Sequence, residues 1–218
     1  MIRGQSIVLG TRSPGKLREL GPIFAAAGLR VIGLDELGVG HDPEEDAVEK
    51  HDTFEENALA KAAWYHRRTG MPAVADDSGL AVDALNGAPG VHSKRWSAST
   101  GLTGLALDEA NNRKLVDALR NLSERRARYV CAAAFVHGDV RLVSRGETRG
   151  RIVLEPRGTN GFGYDPYFES SELGSTFGEA SIEAKERISH RGRAFRALIE
   201  QLLGANVVGG VANRAGTD

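Results

Sequence analysis

The chain has 218 residues, of which 41% are hydrophobic, a size and apolar content typical of one α/β domain or of two small lobes. Its 28 Lys and Arg residues are balanced by 29 Asp and Glu residues, for a formal net charge of -1. This balance excludes the broad basic surface that non-specific nucleic-acid binding requires, and it favours a small anionic ligand over a polymer.

Cysteine content and hydropathy indicate the compartment. The single cysteine, Cys131, has apolar neighbours, which excludes an internal disulfide and predicts a buried thiol in a reducing environment. The N-terminal residues lack the apolar segment of a signal peptide, and no stretch approaches the roughly 18 apolar residues of a membrane span. We therefore expect a soluble cytoplasmic protein with no membrane association.

The first 34 residues predict a strand, a loop, a helix and a second strand. A β-type run at residues 7–10 leads into the loop Thr-Arg-Ser-Pro-Gly-Lys at 11–16, and residues 16–27 have helical spacing. Backbone N–H groups at such a helix N-terminus can bind an anion, with Lys16 adding positive charge, although the Walker A spacing is absent. An N-capped helix with a surface lysine explains the same pattern.

An acidic loop and a capped helix follow. The loop at residues 35–52 is either simply solvated or a source of an oxygen ligand for Mg²⁺. Thr53 and Glu56 then have the spacing of a capping box, which predicts a helix from there to about Arg68. On this helix Asn57 and Lys61 share a face, and Lys61 adjoins the apolar stripe.

The central stretch, residues 73–96, begins with an apolar run that ends in Asp76 and Asp77. Because successive strand residues point to opposite faces, only one of these carboxylates can face a given pocket. Ser78 and Gly79 predict a break before a second strand. A polar turn between two strands has the same composition.

Beyond the centre, we predict a loop at 97–104, a helix at 107–122, a hairpin of strands at 127–137 and 140–147, and one more strand at 150–154. These elements imply a mixed sheet. The segment at 155–168, with three glycines and several aromatics, is suited to a flat ligand, although a glycine-rich turn with two core aromatics fits too. A short helix from 181 and a last helix to 203 precede residues 206–218, a predicted flexible tail.

Five segments in this order resemble the inosine triphosphate pyrophosphatase family: TRSPGK, TFEENALAKA, ADDSGLAVDALNGAPGVHSKRW, GTNGFGYDPYF and AKERISHRGRA. The resemblance covers about residues 7–203. It implies an α/β fold with an elongated mixed sheet, flanking helices and two lobes around a central cleft, formed by residues 1–205 as one domain. It also implies a homodimer and Mg²⁺-dependent hydrolysis of ITP, dITP and XTP to the monophosphate and pyrophosphate, which keeps these nucleotides out of DNA and RNA.

The resemblance also implies roles for individual residues. Asp77 would be the general base and a metal ligand, and Glu49 the second metal ligand, with Glu45 or Asp46 as substitutes. Asp76, on the other face, would be structural. The remaining residues would bind substrate: for the triphosphate Thr11, Arg12, Ser13, Pro14, Gly15, Lys16 and Lys61, with Ser78 also in contact, and for the base and sugar Phe162, Gly163, Tyr164, Asp165, Lys185, His190 and Arg191.

Two departures from the family pattern concern the phosphate and metal sites. Ser13 stands where the family commonly has Asn, and Glu49 is followed by Lys50-His51-Asp52 in place of an E-T-G-like context. Two other functions remain open on sequence grounds. One is a nucleotide-binding regulator that has lost the chemistry, and the other is a pyrophosphatase for modified pyrimidine triphosphates.

Overall fold

The computed structural model describes residues 6–204, except for the side chain of Asp46. Within this range one six-stranded sheet has the strand order β2-β1-β3-β4-β5-β6. Its strands are β1 (Ile7–Leu9), β2 (Val31–Gly33), β3 (Ala73–Val82), β4 (Arg126–His137), β5 (Val140–Ile152) and β6 (Phe168–Ser170). The helices are α1 (Pro14–Ala26), α2 (Pro43–Asp46), α3 (Phe54–Thr69), α4 (Gly104–Leu119), α5 (Ile182–Ile188) and α6 (His190–Gly204).

The sheet is mixed, as the order of elements predicts. Strand β1 pairs in parallel with β2 and β3, whose connections run through α1 and through α2 and α3. Strands β3, β4, β5 and β6 pair in antiparallel fashion in chain order. Parallel neighbours need such crossover helices, whereas the β4–β5 hairpin needs only the two residues Gly138 and Asp139.

Helices cover both faces of the sheet, and successive side chains of β4 point alternately to the two faces. Cys131, Ala133 and Phe135 belong to a core cluster with side chains of α1 and α6. Their neighbours Ala132 and Ala134 belong to a second cluster with α3 on the opposite face. Because both faces are buried, the middle of β4 is apolar without interruption, and each large side chain buried there contributes about 1.5–3 kcal/mol.

The predicted break at Ser78 and Gly79 is wrong, because β3 continues through both residues to Val82. Ser78 pairs with Cys131 and Gly79 with Val130 in the antiparallel ladder. Glycine is required at position 79 because a Cβ atom there would collide with the carbonyl oxygen of Gly90 and the hydroxyl of Ser93. The turn-like composition therefore reflects a close backbone approach within a strand.

The helix predictions need smaller adjustments. Thr53 caps α3 as predicted, since its hydroxyl oxygen accepts from the backbone N–H of Glu56 and its hydroxyl group donates to the Glu56 carboxylate. The loop at residues 35–52 contains the short helix α2. Of the separate strand predicted at 150–154, residues 150–152 are the end of β5 and residues 153–154 lie beyond it. Helix α4 ends at Leu119, so Leu122 lies beyond it and is exposed. The tail predicted at 206–218 lies outside the described residues.

Candidate active site

Strand β3 carries Asp76 and Asp77 to opposite faces of the sheet, as predicted. Asp76 pairs with Ala133, on the face that α1 and α6 cover, and Asp77 pairs with Ala132, on the face that α3 covers. Both carboxylates are buried. The two neighbours therefore have different partners and different chemistry.

Asp76 lies at the centre of a cluster of cations. Its Oδ2 atom is 2.9 Å from Nζ of Lys16 and 3.2 Å from Nε of Arg191, and the Cys131 thiol lies 3.7 Å from the same oxygen. Burial by itself would raise the pKa of Asp76, but Lys16, Arg191 and Lys61 together hold it well below its usual range. Asp76 is consequently an ionised buried anchor for these cations.

Lys61, on α3, joins the cluster from the other side of the strand. Its ammonium group donates to the backbone oxygen of Asp76 at 2.8 Å and forms an ion pair with Glu49. Burial opposes its charge, but Glu49, Asp76 and Asp77 outweigh burial and raise its pKa. Burial dominates at Lys16 instead and lowers the pKa of that lysine. The structure thus brings the two predicted triphosphate lysines to one strand segment.

Asp77 is fixed in orientation and has a perturbed pKa. Asn57 Nδ2 donates to its Oδ2 atom at 2.9 Å, and the backbone N–H of Ser78 donates to its Oδ1 atom at 2.9 Å. Asn57 is itself held by two hydrogen bonds with the backbone of His51. Burial and the negative charge of Glu49 raise the pKa of Asp77 to about 6, although Lys61 and the Asn57 hydrogen bond act against them.

The structure has few side chains that could act as ligands for a metal ion. Among the side chains that the structure describes, which do not include that of Asp46, no group of three or more His, Cys, Asp and Glu residues is arranged to hold one. Glu49 and Asp77 are nonetheless near enough for the charge of one to raise the pKa of the other. A divalent cation would relieve this repulsion, and Mg²⁺ typically takes one or two carboxylates together with substrate phosphates. These two residues fit that pattern.

Glu45, the alternative ligand, is engaged elsewhere. Its carboxylate accepts from Nε of Arg12 at 3.0 Å and from the Tyr65 hydroxyl at 2.5 Å. Arg12 also donates to the backbone oxygens of Val39 and Gly40. The guanidinium group of Arg12, which is predicted to bind phosphate, therefore links the loop at residues 11–16 to the acidic loop at residues 35–52. The side chain of Asp46, the other alternative, lies outside the described residues.

The rest of the first loop shapes the start of α1. Ser13 is its N-cap, with its hydroxyl oxygen 3.5 Å from the backbone nitrogen of Lys16, and Pro14 occupies the first turn. The Thr11 hydroxyl accepts from the backbone N–H of Ser13 at 3.1 Å. Gly15 lies against the Phe162 ring, where a Cβ atom would meet the ring edge. The helix N-terminus thus adjoins the aromatic predicted to contact the base.

Two of the predicted base-binding residues, Phe162 and Lys185, line a pocket between α1, residues 160–162 and α5. Lys185 Nζ lies 2.7 Å from Asp165 Oδ2 and 5.1 Å from the centre of the Phe162 ring. Asp165 Oδ2 also accepts from the backbone N–H of Phe162 at 2.8 Å. The Tyr164 hydroxyl donates to the backbone oxygen of Ser93 at 2.8 Å. Phe162 remains 40% exposed, so its ring can be reached by a ligand.

His190 and Arg191 begin α6, at the helix start that the sequence predicts. The His190 ring stacks on Tyr129 at 4.6 Å, and its Nδ1 atom is buried with no partner among the described residues. Burial, followed by the charges of Arg191 and Lys185, keeps the pKa of His190 well below its usual range, so the ring is neutral. Arg191 donates to the Ser78 hydroxyl at 2.9 Å, which joins Ser78 to the cation cluster.

Sequence reasoning missed Glu19. Its carboxylate forms ion pairs with both Lys185, at 3.0 Å, and Arg191. Burial would raise its pKa, but Arg191 and Lys185 lower it, so the group is ionised. Its position three residues after Lys16, on the same side of α1, was the only signal in the sequence.

Known proteins resemble this chain in sequence and fold. Residues 7–201 match the Ham1 family. A dITP/XTP pyrophosphatase of Burkholderia pseudomallei is 48% identical over 199 residues, covering 90% of this chain and 92% of that protein. One of Thermus thermophilus is 44% identical over 203 residues, covering 92% of this chain and 93% of that protein.

The Staphylococcus aureus Ham1 protein superposes with a TM-score of 0.78 at 38% identity, covering 92% of this chain and 100% of that chain. A HAM1 protein of Coxiella burnetii gives 0.79 at 36% identity, covering 91% and 98% of the two chains.

Proposed function

Because the chain belongs to the Ham1 family, we infer that it is a nucleoside-triphosphate pyrophosphatase acting on non-standard purine nucleotides. It hydrolyses ITP, dITP and XTP to the monophosphate and pyrophosphate, and so keeps them from incorporation into DNA and RNA. The observation that carries the inference is the pair of neighbours on β3. One, Asp76, organises Lys16, Lys61 and Arg191, and the other, Asp77, has a pKa of about 6.

The cation cluster supports binding of the triphosphate. Lys16 and Lys61 converge on one residue, with the ammonium of Lys16 on the side chain of Asp76 and that of Lys61 on its backbone oxygen. Their charges would neutralise the triphosphate and the departing pyrophosphate. Since phosphoryl transfer needs little covalent help from a protein, positioning and electrostatics supply most of the rate enhancement.

Asp77 is suited to accept a proton from the attacking water. In this role water attacks the α-phosphorus, Oδ1 or Oδ2 of Asp77 takes the proton, and pyrophosphate leaves. A base with a pKa of about 6 is mostly ionised at neutral pH, and Asn57 keeps its carboxylate in one orientation. Such a base typically contributes about 10²- to 10⁴-fold.

Mg²⁺ is the cofactor we propose for the carboxylates of Glu49 and Asp77. Bound there, it would add positive charge at the phosphate oxygens. Lys61 forms an ion pair with Glu49 in this structure. If Mg²⁺ took the place of Lys61 beside Glu49, the lysine side chain could turn toward the substrate.

Selectivity for the base requires donors directed at the 6-keto oxygen of hypoxanthine and xanthine. Backbone N–H groups or Arg191 would supply them, and the 6-amino group of adenine would leave them unpaired, which is penalised heavily. Phe162, Gly163, Tyr164 and Asp165 would surround the base and sugar, together with Lys185 and His190. Guanine also has a 6-keto group, so this contact alone does not exclude GTP.

We further propose that the protein is a cytoplasmic homodimer. No helix within residues 6–204 has the length and hydropathy to cross a membrane. Light scattering on the purified protein at micromolar concentration tests the dimer directly, and a monomer mass would contradict it.

A substrate panel tests the function. Purified protein is given ITP, dITP, XTP, GTP, ATP and dUTP with Mg²⁺, and pyrophosphate and monophosphate are measured, with EDTA as the metal-free control. We expect turnover of the first three substrates, stoichiometric pyrophosphate and loss of activity in EDTA. Preference for dUTP would favour a pyrimidine pyrophosphatase, and nucleotide binding without turnover would favour a regulator. Release of orthophosphate without pyrophosphate would contradict the reaction.

A further inference from the structure

The backbone of Gly163 is held from both sides by one helix that carries no predicted site residue. The N–H of Gly163 donates to Oδ2 of Asp108 at 3.0 Å, and its carbonyl oxygen accepts from Nδ2 of Asn112 at 3.0 Å. Asp108 and Asn112 are four residues apart on α4, so they lie one above the other on the same face. Together they satisfy both backbone polar groups of one residue in the loop that is predicted to contact the base.

Helix α4 is itself firmly attached to the body of the protein. Leu115 and Leu119 are fully buried beneath it, within the core cluster that also contains Tyr164. Asn111 accepts from the backbone N–H of Ser97 at 2.7 Å and donates to the backbone oxygen of Lys94 at 3.0 Å. The helix can therefore act as a rigid support for whatever it holds.

The position of Gly163 in the chain links this support to the neighbouring aromatic residues. It has a φ of 62°, in the left-handed region, and it lies between Phe162 and Tyr164. The backbone N–H of Phe162 donates to Asp165, and its ring lies against Gly15 and Lys185 but remains partly exposed. Any shift of the Gly163 peptide would turn the Phe162 ring relative to the pocket.

The environment of Asn112 indicates that its donor is the important group. Asn112 is 8% exposed, and its Oδ1 atom is buried without a partner among the residues the structure describes. Leaving an acceptor unpaired costs free energy, so the amide retains this orientation for the bond from Nδ2 to Gly163. Asp108 makes the complementary contact, an ionisable acceptor facing an N–H group.

We propose that Asp108 and Asn112 are positioning residues that set affinity for the purine base by fixing the Phe162–Gly163–Tyr164 segment. This inference rests on the proposed function, because it takes that segment to contact the base. Contacts to the base are the same in the bound substrate and in the transition state. Their loss should therefore raise KM and leave kcat nearly unchanged.

Four variants test the inference through kcat and KM for ITP. Asp108→Ala removes the acceptor, and Asn112→Asp keeps the shape but removes the donor, so each should raise KM about tenfold, the equivalent of one lost hydrogen bond. Asp108→Asn retains an acceptor oxygen and should restore KM to near the wild-type value. Asp117→Asn, at an exposed position on the same helix, is the matched control and should have no effect.

Hydrogen exchange separates this inference from the proposed function. We expect the amide of Gly163 to exchange about tenfold faster in Asp108→Ala than in the wild type, whether or not ITP is a substrate. Wild-type protein that releases no pyrophosphate from ITP would count against the function alone. Unchanged exchange at Gly163, or a fall in kcat at constant KM in both disruptive variants, would overturn the positioning role.

Discussion

The ammonium group of Lys16 lies 2.9 Å from a carboxylate oxygen of Asp76, and the side chain of Asp76 is 1% exposed. Arg191 contacts the same oxygen, so one buried carboxylate holds two cations that come from the two ends of the chain. We predict that Asp76→Asn leaves Lys16 buried without its carboxylate partner, whereas Arg191 retains Glu19 as a counter-charge. Removing one partner of a buried ion pair costs about 3–5 kcal/mol.

Urea denaturation at pH 7 measures this loss in the free energy of unfolding. Asp117→Asn serves as the control because its carboxylate is exposed and pairs with Arg120 at the surface. We expect the control to change stability by less than about 0.5 kcal/mol. A similarly small change in Asp76→Asn would mean that the cations do not depend on this carboxylate.

The second prediction concerns the neighbouring carboxylate. Asp77→Asn should lower kcat for ITP by about 10²- to 10⁴-fold, because an amide cannot accept the proton of the attacking water. The substituted side chain can still accept the hydrogen bond from Asn57, so the fold and KM should be nearly unchanged. Steady-state kinetics and a thermal melt test both parts, and a kcat near the wild-type value would remove Asp77 from this role.

The third prediction is a pH dependence of stability that depends on His190. Its folded-state pKa lies well below the unfolded value of about 6.5, owing to burial and then to Arg191, Lys185 and Lys16, with Asp76 opposing them. Protons therefore bind preferentially to the unfolded chain. The contribution of neutral His190 is present above about pH 6.5 and is lost as pH falls below it, by up to about 1.4 kcal/mol per pH unit.

His190→Phe is the matched variant, because it retains stacking on Tyr129 and cannot be protonated. Urea denaturation of both proteins from pH 7.5 to pH 5 should give curves that diverge below about pH 6.5, with the wild type losing more stability. Other titrating groups contribute equally to both curves and cancel in the difference. Parallel curves would mean that His190 binds a proton as readily in the folded protein as in the unfolded chain.

Local patterns in the sequence predict much of this fold. The capping box locates the start of α3, and the run of β-type residues locates β4, because each depends on neighbours within a few positions. The continuity of β3 does not follow from local pattern. Position 79 requires glycine, a residue typical of turns, because residues 90 and 93 approach its backbone closely. That contact exists only in the folded protein.

In the candidate site too, contacts between residues far apart in the sequence do not follow from local pattern. Asp77, Lys16 and Lys61 stand in recognisable segments, and the resemblance of those segments to a known family indicates their roles. Glu19 stands in a segment that is also recognisable, yet its partners Lys185 and Arg191 are 166 and 172 positions away. An acidic residue on a helix is usually solvated, so only the arrangement of α5 and α6 over α1 identifies it.

The fourth prediction tests Glu19 directly. Glu19→Gln should remove one ion pair from Lys185 and one from Arg191. Lys185 would still pair with Asp165, and Arg191 would still pair with Asp76. We therefore expect a partial loss of stability, about 1.5–3 kcal/mol, and an increase of about tenfold in KM for ITP. Glu36→Gln, at an exposed ion pair, is the control. A change in kcat alone would place Glu19 with the reacting groups instead.

The fifth prediction tests the close approach at Gly79. Gly79→Ala places a methyl group against the Gly90 carbonyl and the Ser93 hydroxyl, and both are fixed, since Ser93 accepts from the backbone N–H of Leu80 at 2.8 Å. Overpacking of this kind costs about 1–3 kcal/mol. Gly33→Ala, in β2, is the matched control because its added methyl group meets nothing within 4 Å.

In the control, the restriction of the unfolded chain should leave stability unchanged or raise it by about 0.4–1 kcal/mol. Urea denaturation of the two variants should therefore shift in opposite directions or differ by at least about 1 kcal/mol. Equal stabilities would show that residues 90–93 can withdraw from β3, and glycine at position 79 would then need another explanation. Because β3 carries Asp76 and Asp77, Gly79→Ala should also lower kcat for ITP, whereas Gly33→Ala should not.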